Sequence, residues 1–273
     1  MLFALPFPLI DPVLVRLGPL QVHWYGIAYI AGLVAGWALM RRVLARAAWW
    51  GGRPRPDPAI VDDLLVYCAI GVIVGGRLGN ALFYDPAPYL ADPLKIFRTW
   101  EGGMAFHGGL IGAILAIALF AWRRRVPTLV LLDLAALVAP IGLGLGRLAN
   151  FVNGELWGRP TDVPWAVVFP GAGALPRHPS QLYEAGLEGL ALFAILWMAA
   201  RLGGLARPGR LAGLFGVGYG LTRIFAELYR DPDPHLEDLG HGLTMGMVLS
   251  APLIIIGAGL ILLSFRRQGQ ETR

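Results

Sequence analysis

Seven long apolar stretches, at about residues 22–40, 64–84, 104–122, 128–149, 181–200, 211–230 and 243–265, dominate this 273-residue chain. The hydrocarbon core of a bilayer takes roughly 20 apolar residues per helix, so each stretch is long enough to cross one. The stretches lack strict alternation and are bounded by charge clusters, a pattern of helices rather than strands. Composition agrees. Hydrophobic residues make up 56% and charged residues 15%, with mean hydropathy +0.59, whereas soluble domains carry about 25% charged residues. The expected fold is an all-α integral membrane protein with seven transmembrane helices, forming a single polytopic domain over residues 1–273.

Charge placement gives an orientation. Of the 23 Lys and Arg residues, fourteen fall in one set of connections. They are Arg41, Arg42, Arg46, Arg53 and Arg55, then Arg123, Arg124 and Arg125, then Arg201, Arg207 and Arg210, then Arg266, Arg267 and Arg273. Excess positive charge marks the cytoplasmic side, which places the N-terminus outside and the C-terminus inside. The net charge of +5 is thus a topology signal, and nucleic acid is not an expected partner. The outer connections, 85–103 and 150–180, are long and rich in Pro, Gly and aromatic residues, and are expected to form a small folded cap. The opening MLFALPFPLIDPVLV has no basic leader and is broken by Pro6, Pro8 and Pro12, unlike a cleaved signal peptide. The single cysteine, Cys68, lies in an apolar run and reads as a small core hydrophobe.

Polar residues inside the spans carry the functional signal. Arg77 in GGRLGN and Arg147 in GLGRLAN stand at equivalent outer ends of two spans, and Arg223 and Glu227 share a face at the outer end of the sixth. Asn150, three residues after Arg147, lies on the same face. A charge in the membrane is costly enough that its position calls for a reason. A snorkelling Arg or a structural ion pair is the plain one. Three arginines at one depth favour another, because guanidinium matches phosphate in a bidentate fork, and the abundant phosphate at that depth is a lipid head group. His107, in EGGMAFHGGLIG, is flanked by glycines that let another backbone or a lipid approach, and imidazole is the side chain best suited to take a proton near neutral pH. His23, Trp24 and Tyr25, in HWYG, fit an interfacial aromatic belt. RHPSQLYE, residues 177–184, reads as a helix start in which Ser180 and Glu184 help begin the fifth span, with Arg177 and His178 able to face the lipid site. DPDPHLEDLGH, residues 231–241, reads as a turn. With no HExxH or paired-Cys pattern, no metal is expected.

Taken together, HWYG, GGMAFHGG, GRLANFVNGELWGRPT, PRHPSQLYE, RIFAELYRDPD and the final GLTMG resemble, in order and over nearly the whole chain, the bacterial prolipoprotein diacylglyceryl transferase family. That resemblance implies seven transmembrane helices with a periplasmic cap, in the bacterial inner membrane, with the active site on the periplasmic side. It implies transfer of the diacylglyceryl group of phosphatidylglycerol to the lipobox cysteine next to a prolipoprotein signal peptide, releasing glycerol 1-phosphate, the first step of lipoprotein maturation. The residues it marks are Tyr25, His107, Arg147, Asn150, Glu155, Gly158, Arg223 and Glu227. In that chemistry Arg147 and Arg223 stabilise the leaving phosphate, Asn150 and Glu155 orient the head group or the arginines, Gly158 gives close backbone approach or an unusual turn in the lipid site, and Arg77 is a further residue of that site. His107 is favoured as the base, with Tyr25 and Glu227 as alternatives, and no cofactor is needed. The rival readings are a transporter for an anionic solute, a serine protease, disfavoured by the lack of a G-x-S-x-G elbow, and a non-catalytic lipid-binding scaffold.

Overall fold

A computed structural model describes residues 4–18, 20–231 and 244–271. Most of the DPDPHLEDLGH turn and the first residues of GLTMG lie outside the described residues. In chain order the helices are α1 (Trp24–Ala45), α2 (Ile60–Gly79), α3 (Ala87–Ala91), α4 (Phe106–Arg124), α5 (Thr128–Val152), α6 (Ser180–Glu184), α7 (Leu192–Arg201), α8 (Arg210–Glu227) and α9 (Met245–Glu271). Each of the seven apolar stretches overlaps one long helical segment. The fifth is the continuous segment Ser180–Arg201, in which α6 and α7 are joined by a π-helical stretch, Ala185–Ala191. Four helices are long and apolar enough to cross a membrane: Trp24–Ala45, Thr128–Val152, Ser180–Arg201 and Gly246–Arg266.

Helix ends follow the charges. Asp62 and Asp63 occupy the first turn of α2, while Arg42, Arg123 with Arg124, and Arg201 occupy the last turns of α1, α4 and α7. Each sign complements the partial charge at that helix end. Asp133, buried in α5, accepts hydrogen bonds from the backbone N–H groups of Gly209 (2.7 Å) and Ala212 (2.8 Å). It thereby satisfies donors that the start of α8 would leave unpaired.

Packing between helices relies on small residues. α2 and α4 cross along Gly71, Gly75 and Gly79 on one side and Gly108 and Gly112 on the other. A Cβ on Gly71 would stand 2.5 Å from the Gly112 carbonyl oxygen, and one on Gly79 would stand 2.8 Å from the Gly108 Cα. The neighbour that the glycines beside His107 admit is therefore the α2 backbone. α5 is central, meeting α1, α4, the Ser180–Arg201 segment and α8, and it approaches that segment where Gly144 faces Gly189. The core gathers at the Arg-rich end, where Leu131, Leu134 and Leu137 of α5 pack with Leu44, Phe120, Leu196 and Leu211. Outward, Ile30, Val34, Ile73, Leu115, Ile195 and Ile255 remain exposed. A chain whose helices bury polar groups and present aliphatic ones outward is built for a lipid surround.

The short strands at the start of the chain have no counterpart in the sequence reading. β1 (Leu5–Pro6) runs parallel to β4 (Val167–Val168), and β2 (Val13–Leu17) pairs antiparallel with β3 (Leu20–His23), which leads directly into α1. Phe7 packs on Phe151 and Phe169, with centroids 5.6 and 5.4 Å away. The N-terminal segment is thus tied to the 150–180 connection.

Candidate active site

Three helical segments bring charge to one buried point. Glu184, fully buried at the end of α6, is the hub. Its Oε1 meets Arg223 Nη1 of α8 at 2.7 Å and Arg230 Nη1 at 3.3 Å, and its Oε2 meets Arg147 Nε of α5 at 3.2 Å. Arg147 also reaches Glu188 Oε2 at 3.4 Å, and Arg223 pairs with Glu227 one turn on. Glu188 is fully buried, while the side chains of Arg147 and Arg223 retain 16% exposure. Five N–H groups per guanidinium exceed the two carboxylate contacts that each of these arginines makes, so donors remain for another acceptor. The acids hold the three guanidinium groups together despite their mutual repulsion, which pre-sets their positions at low dielectric. Glu188 reaches Arg147 from the π-helical stretch, whose wider turn re-aims side chains and recurs at functional sites.

A second polar network lies one turn along. Asn150 Nδ2 donates to Glu155 Oε1 (2.8 Å) and to the Tyr25 hydroxyl (3.3 Å), and Asn153 Nδ2 donates to the same Glu155 oxygen at 3.3 Å. The Gln181 side-chain amide donates to the Glu155 carbonyl, joining this network to the helix that bears Glu184. Leu156 adopts φ +57°, a left-handed conformation costly for a branched side chain. That turn presents the Leu156 carbonyl to the Ser180 hydroxyl at 3.0 Å. Gly158 pairs with Arg230 and donates its N–H to the His178 carbonyl at 2.9 Å. A Cβ there would lie 2.5 Å from the Tyr229 carbonyl oxygen and 2.7 Å from His178 Cβ, so only glycine fits. His178 packs edge-on to Tyr183 and Tyr229, and burial holds its pKa below the usual imidazole value.

The sequence-marked residues divide into groups. Arg147, Arg223 and Glu227 share the Glu184 centre. Tyr25, Asn150 and Glu155 form the adjoining network, and Gly158 closes the strand-like contact that carries Arg230 to Glu184. Arg77 does not join the other two arginines. It is buried, and its guanidinium donates to the carbonyls of Ile96 (3.0 Å), Arg98 (2.8 Å), Gly103 (3.2 Å), Lys95 and Gly102, while stacking 5.1 Å from the Tyr89 ring centroid. Its charge organises the connection over 95–103, because a looped backbone offers several carbonyls to one planar fork. His107 stands at the start of α4, with Nδ1 3.2 Å from the Tyr84 hydroxyl. Tyr84 ends a second π-helical stretch, Asn80–Tyr84, that continues α2. Arg177 reaches the Gly158 carbonyl and Asp231 rather than the Glu184 centre.

Three members of the site are not singled out by the sequence. Glu184 reads there as a helix-start residue, and Glu188 and Arg230 carry no reading of their own. Ser180 does not cap its helix, since its hydroxyl is turned to Leu156. The signal that could find the two acids is their spacing, four residues apart inside an apolar span. An unpaired carboxylate there is expensive enough to demand a cation.

Fold and site together define a helical membrane protein organised around a buried arginine–carboxylate centre. Comparison with known sequences narrows this class. The family model described as prolipoprotein diacylglyceryl transferase matches residues 12–263, and the chain belongs to that family. It is 60% identical to the phosphatidylglycerol–prolipoprotein diacylglyceryl transferase of Methylocella silvestris over 266 residues, 97% of this chain and 98% of that relative. The proteins of the same name from Beijerinckia indica and Rhodopseudomonas palustris are 59% and 52% identical, covering 94% and 97% of this chain and 95% and 93% of their own lengths.

Proposed function

We propose that this chain transfers the diacylglyceryl group of phosphatidylglycerol to the lipobox cysteine thiol of a prolipoprotein, leaving a thioether and glycerol 1-phosphate. The observation that carries the reading is the convergence of Arg147 and Arg223, from α5 and α8, on Glu184, in a chain whose full-length relatives bear that activity in their names. The sulfur–carbon bond forms as the carbon–oxygen bond to phosphate breaks, and the thiol proton passes to a base. Negative charge grows on the phosphate oxygens in the transition state, so guanidinium groups fixed beforehand lower the barrier where charge develops. Buried acceptors support a glycerol head group. Asn153 Oδ1, Gln181 Oε1 and Glu188 Oε1 lack hydrogen-bond partners among the described residues, and the glycerol hydroxyls are donors that satisfy such atoms.

His107 is the favoured base, since imidazole is the side chain suited to take a proton near neutral pH, with Tyr25, which meets Asn150, and Glu227, which pairs with Arg223, as the alternatives. Only a few per cent of a thiol with pKa about 8.5 is ionised at neutral pH, so a nearby imidazole speeds the attack. Arg77 acts by shaping the loop beside Tyr84 and His107. The seven long helices each cross the bilayer, with the Arg-rich turns cytoplasmic and the 85–103 and 150–180 connections forming a periplasmic cap over the reacting groups. Helices of 18 to 27 residues support that reading, since at 1.5 Å per residue they match a core of about 30 Å.

Purified protein incubated with phosphatidylglycerol and a synthetic lipobox peptide tests the reaction. The peptide gains the mass of one diacylglyceryl group, and a Cys→Ser peptide gains none. An unmodified cysteine peptide, with the lipid intact, refutes the proposal.

A further inference from the structure

At the end of the helices opposite the Glu184 centre, an open cleft of about 490 Å³ is lined by Ala194, Ile195, Met198, Ala199, Leu202 and Arg210. From Arg210 to Glu227 is seventeen helical steps along α8, or about 25 Å, so the cleft and the centre lie near opposite faces of a bilayer. Five of its six lining residues are apolar. Ile195, Met198 and Leu202 are 57%, 52% and 77% exposed. At its polar limit stands Arg210, and the half-buried guanidinium groups of Arg207 and Arg210 pack on one ring, Phe265, at 5.3 and 5.2 Å from its centroid. Neither makes an ion pair with a carboxylate among the described residues. The acid at this end of α8, Asp133, is committed to the backbone amides of Gly209 and Ala212. Among the described residues these two adjacent like charges beside an apolar groove have no anion, and their aromatic platform fixes them in place.

We propose that this cleft is a second lipid site, which holds one anionic phospholipid with its phosphate on Arg207 and Arg210 and an acyl chain along Ile195, Met198 and Leu202. A phosphate satisfies two guanidinium groups that have no acid of their own among the described residues, and the exposed aliphatic side chains have a chain to cover them. The bound lipid is not a substrate, because no residue of the arginine–carboxylate centre lines the cleft. Only the naming of its leaflet as cytoplasmic rests on the orientation proposed above.

The test uses nanodiscs and phospholipids with a photoactivatable group on the acyl chain, followed by mapping of the adducted peptides. Phosphatidylglycerol is expected to label residues 194–202 about tenfold more than phosphatidylcholine of the same chains, since charge-assisted hydrogen bonds to two arginines supply the difference. Arg207→Gln with Arg210→Gln removes that preference. Ala194→Trp, which fills the exposed groove and leaves both charges, abolishes labelling by either lipid. Peptide lipidation by both variants stays at the wild-type rate, which also shows that they are folded. Equal labelling by the two lipids, or a preference that survives the double substitution, overturns the proposal. Neither result bears on the transferase reading, which the peptide assay addresses separately.

Discussion

Glu184 gathers three arginines while sitting where no water reaches it, so its removal exposes a cost hidden in the intact protein. Arg147, Arg223 and Arg230 then face one another with two acids left among them. Glu184→Gln is expected to lower kcat/KM by about 100-fold, roughly 2.7 kcal/mol of lost transition-state stabilisation. Lipidation of the peptide by the membrane-extracted variant measures it. Arg147→Lys is expected to fall about as far, because an ammonium on a flexible stem cannot meet Glu184, Glu188 and a phosphate with one planar fork. Gly158→Ala meets the Tyr229 carbonyl and His178, and overpacking of this kind costs about 1–3 kcal/mol. A lower melting temperature together with reduced activity is the expected outcome. At this scale the sequence is informative where a residue type is costly in lipid, as with Arg147, Arg223 and Glu227. It is silent on pairing, since Arg77 looks like Arg147 in its local motif and differs only in the backbone carbonyls that the folded loop brings to it.

Helix-to-helix packing depends on glycine at the places where backbones nearly touch. A Cβ on Gly75 would stand 2.8 Å from the Gly112 Cα, whereas one on Gly259 of α9 would meet nothing within 4 Å. Gly75→Leu should therefore force α2 from α4, pull Tyr84 away from His107 and lower the melting temperature in detergent by several degrees. Gly259→Ala should leave it unchanged or slightly higher, as alanine is the better helix former by about 1 kcal/mol. A tolerated Gly75→Leu would show that the pair is not held by close approach. The apolar stretches locate every long helix to within a few residues, because hydropathy and length report the same property that lipid selects. Both π-helical stretches are invisible in the sequence, although they carry Tyr84 and Glu188. They arise from an extra residue per turn, a backbone adjustment that leaves the apolar pattern almost unaltered. The N-terminal strands are equally hidden, as their partners at Val167–Val168 are far away in the chain.

For the whole molecule, the arginine–carboxylate centre and the Arg-rich turns lie at opposite ends of the helices, and the proposed orientation puts the first outside and the second in the cytoplasm. Single cysteines in a Cys68→Ala background test that orientation. Trp100→Cys, at a position 79% exposed, should react in intact cells with a membrane-impermeant thiol reagent, while Leu202→Cys, at one 77% exposed, should react only after lysis. The reverse pattern would invert the molecule. Arginine placement alone predicts an orientation, which this labelling tests, whereas the shape of the 85–103 and 150–180 connections is not legible in the sequence, since irregular backbone is set by partners such as Arg77 and Arg177. The central claim is that guanidinium groups from separate helices stabilise a departing lipid phosphate. Its most direct test is the rate of thioether formation on a lipobox peptide, measured by mass spectrometry, with folded Arg147→Ala and Arg223→Ala proteins at saturating phosphatidylglycerol. A fall of about 1,000-fold or more in each is the predicted result, and a wild-type rate in either would contradict it.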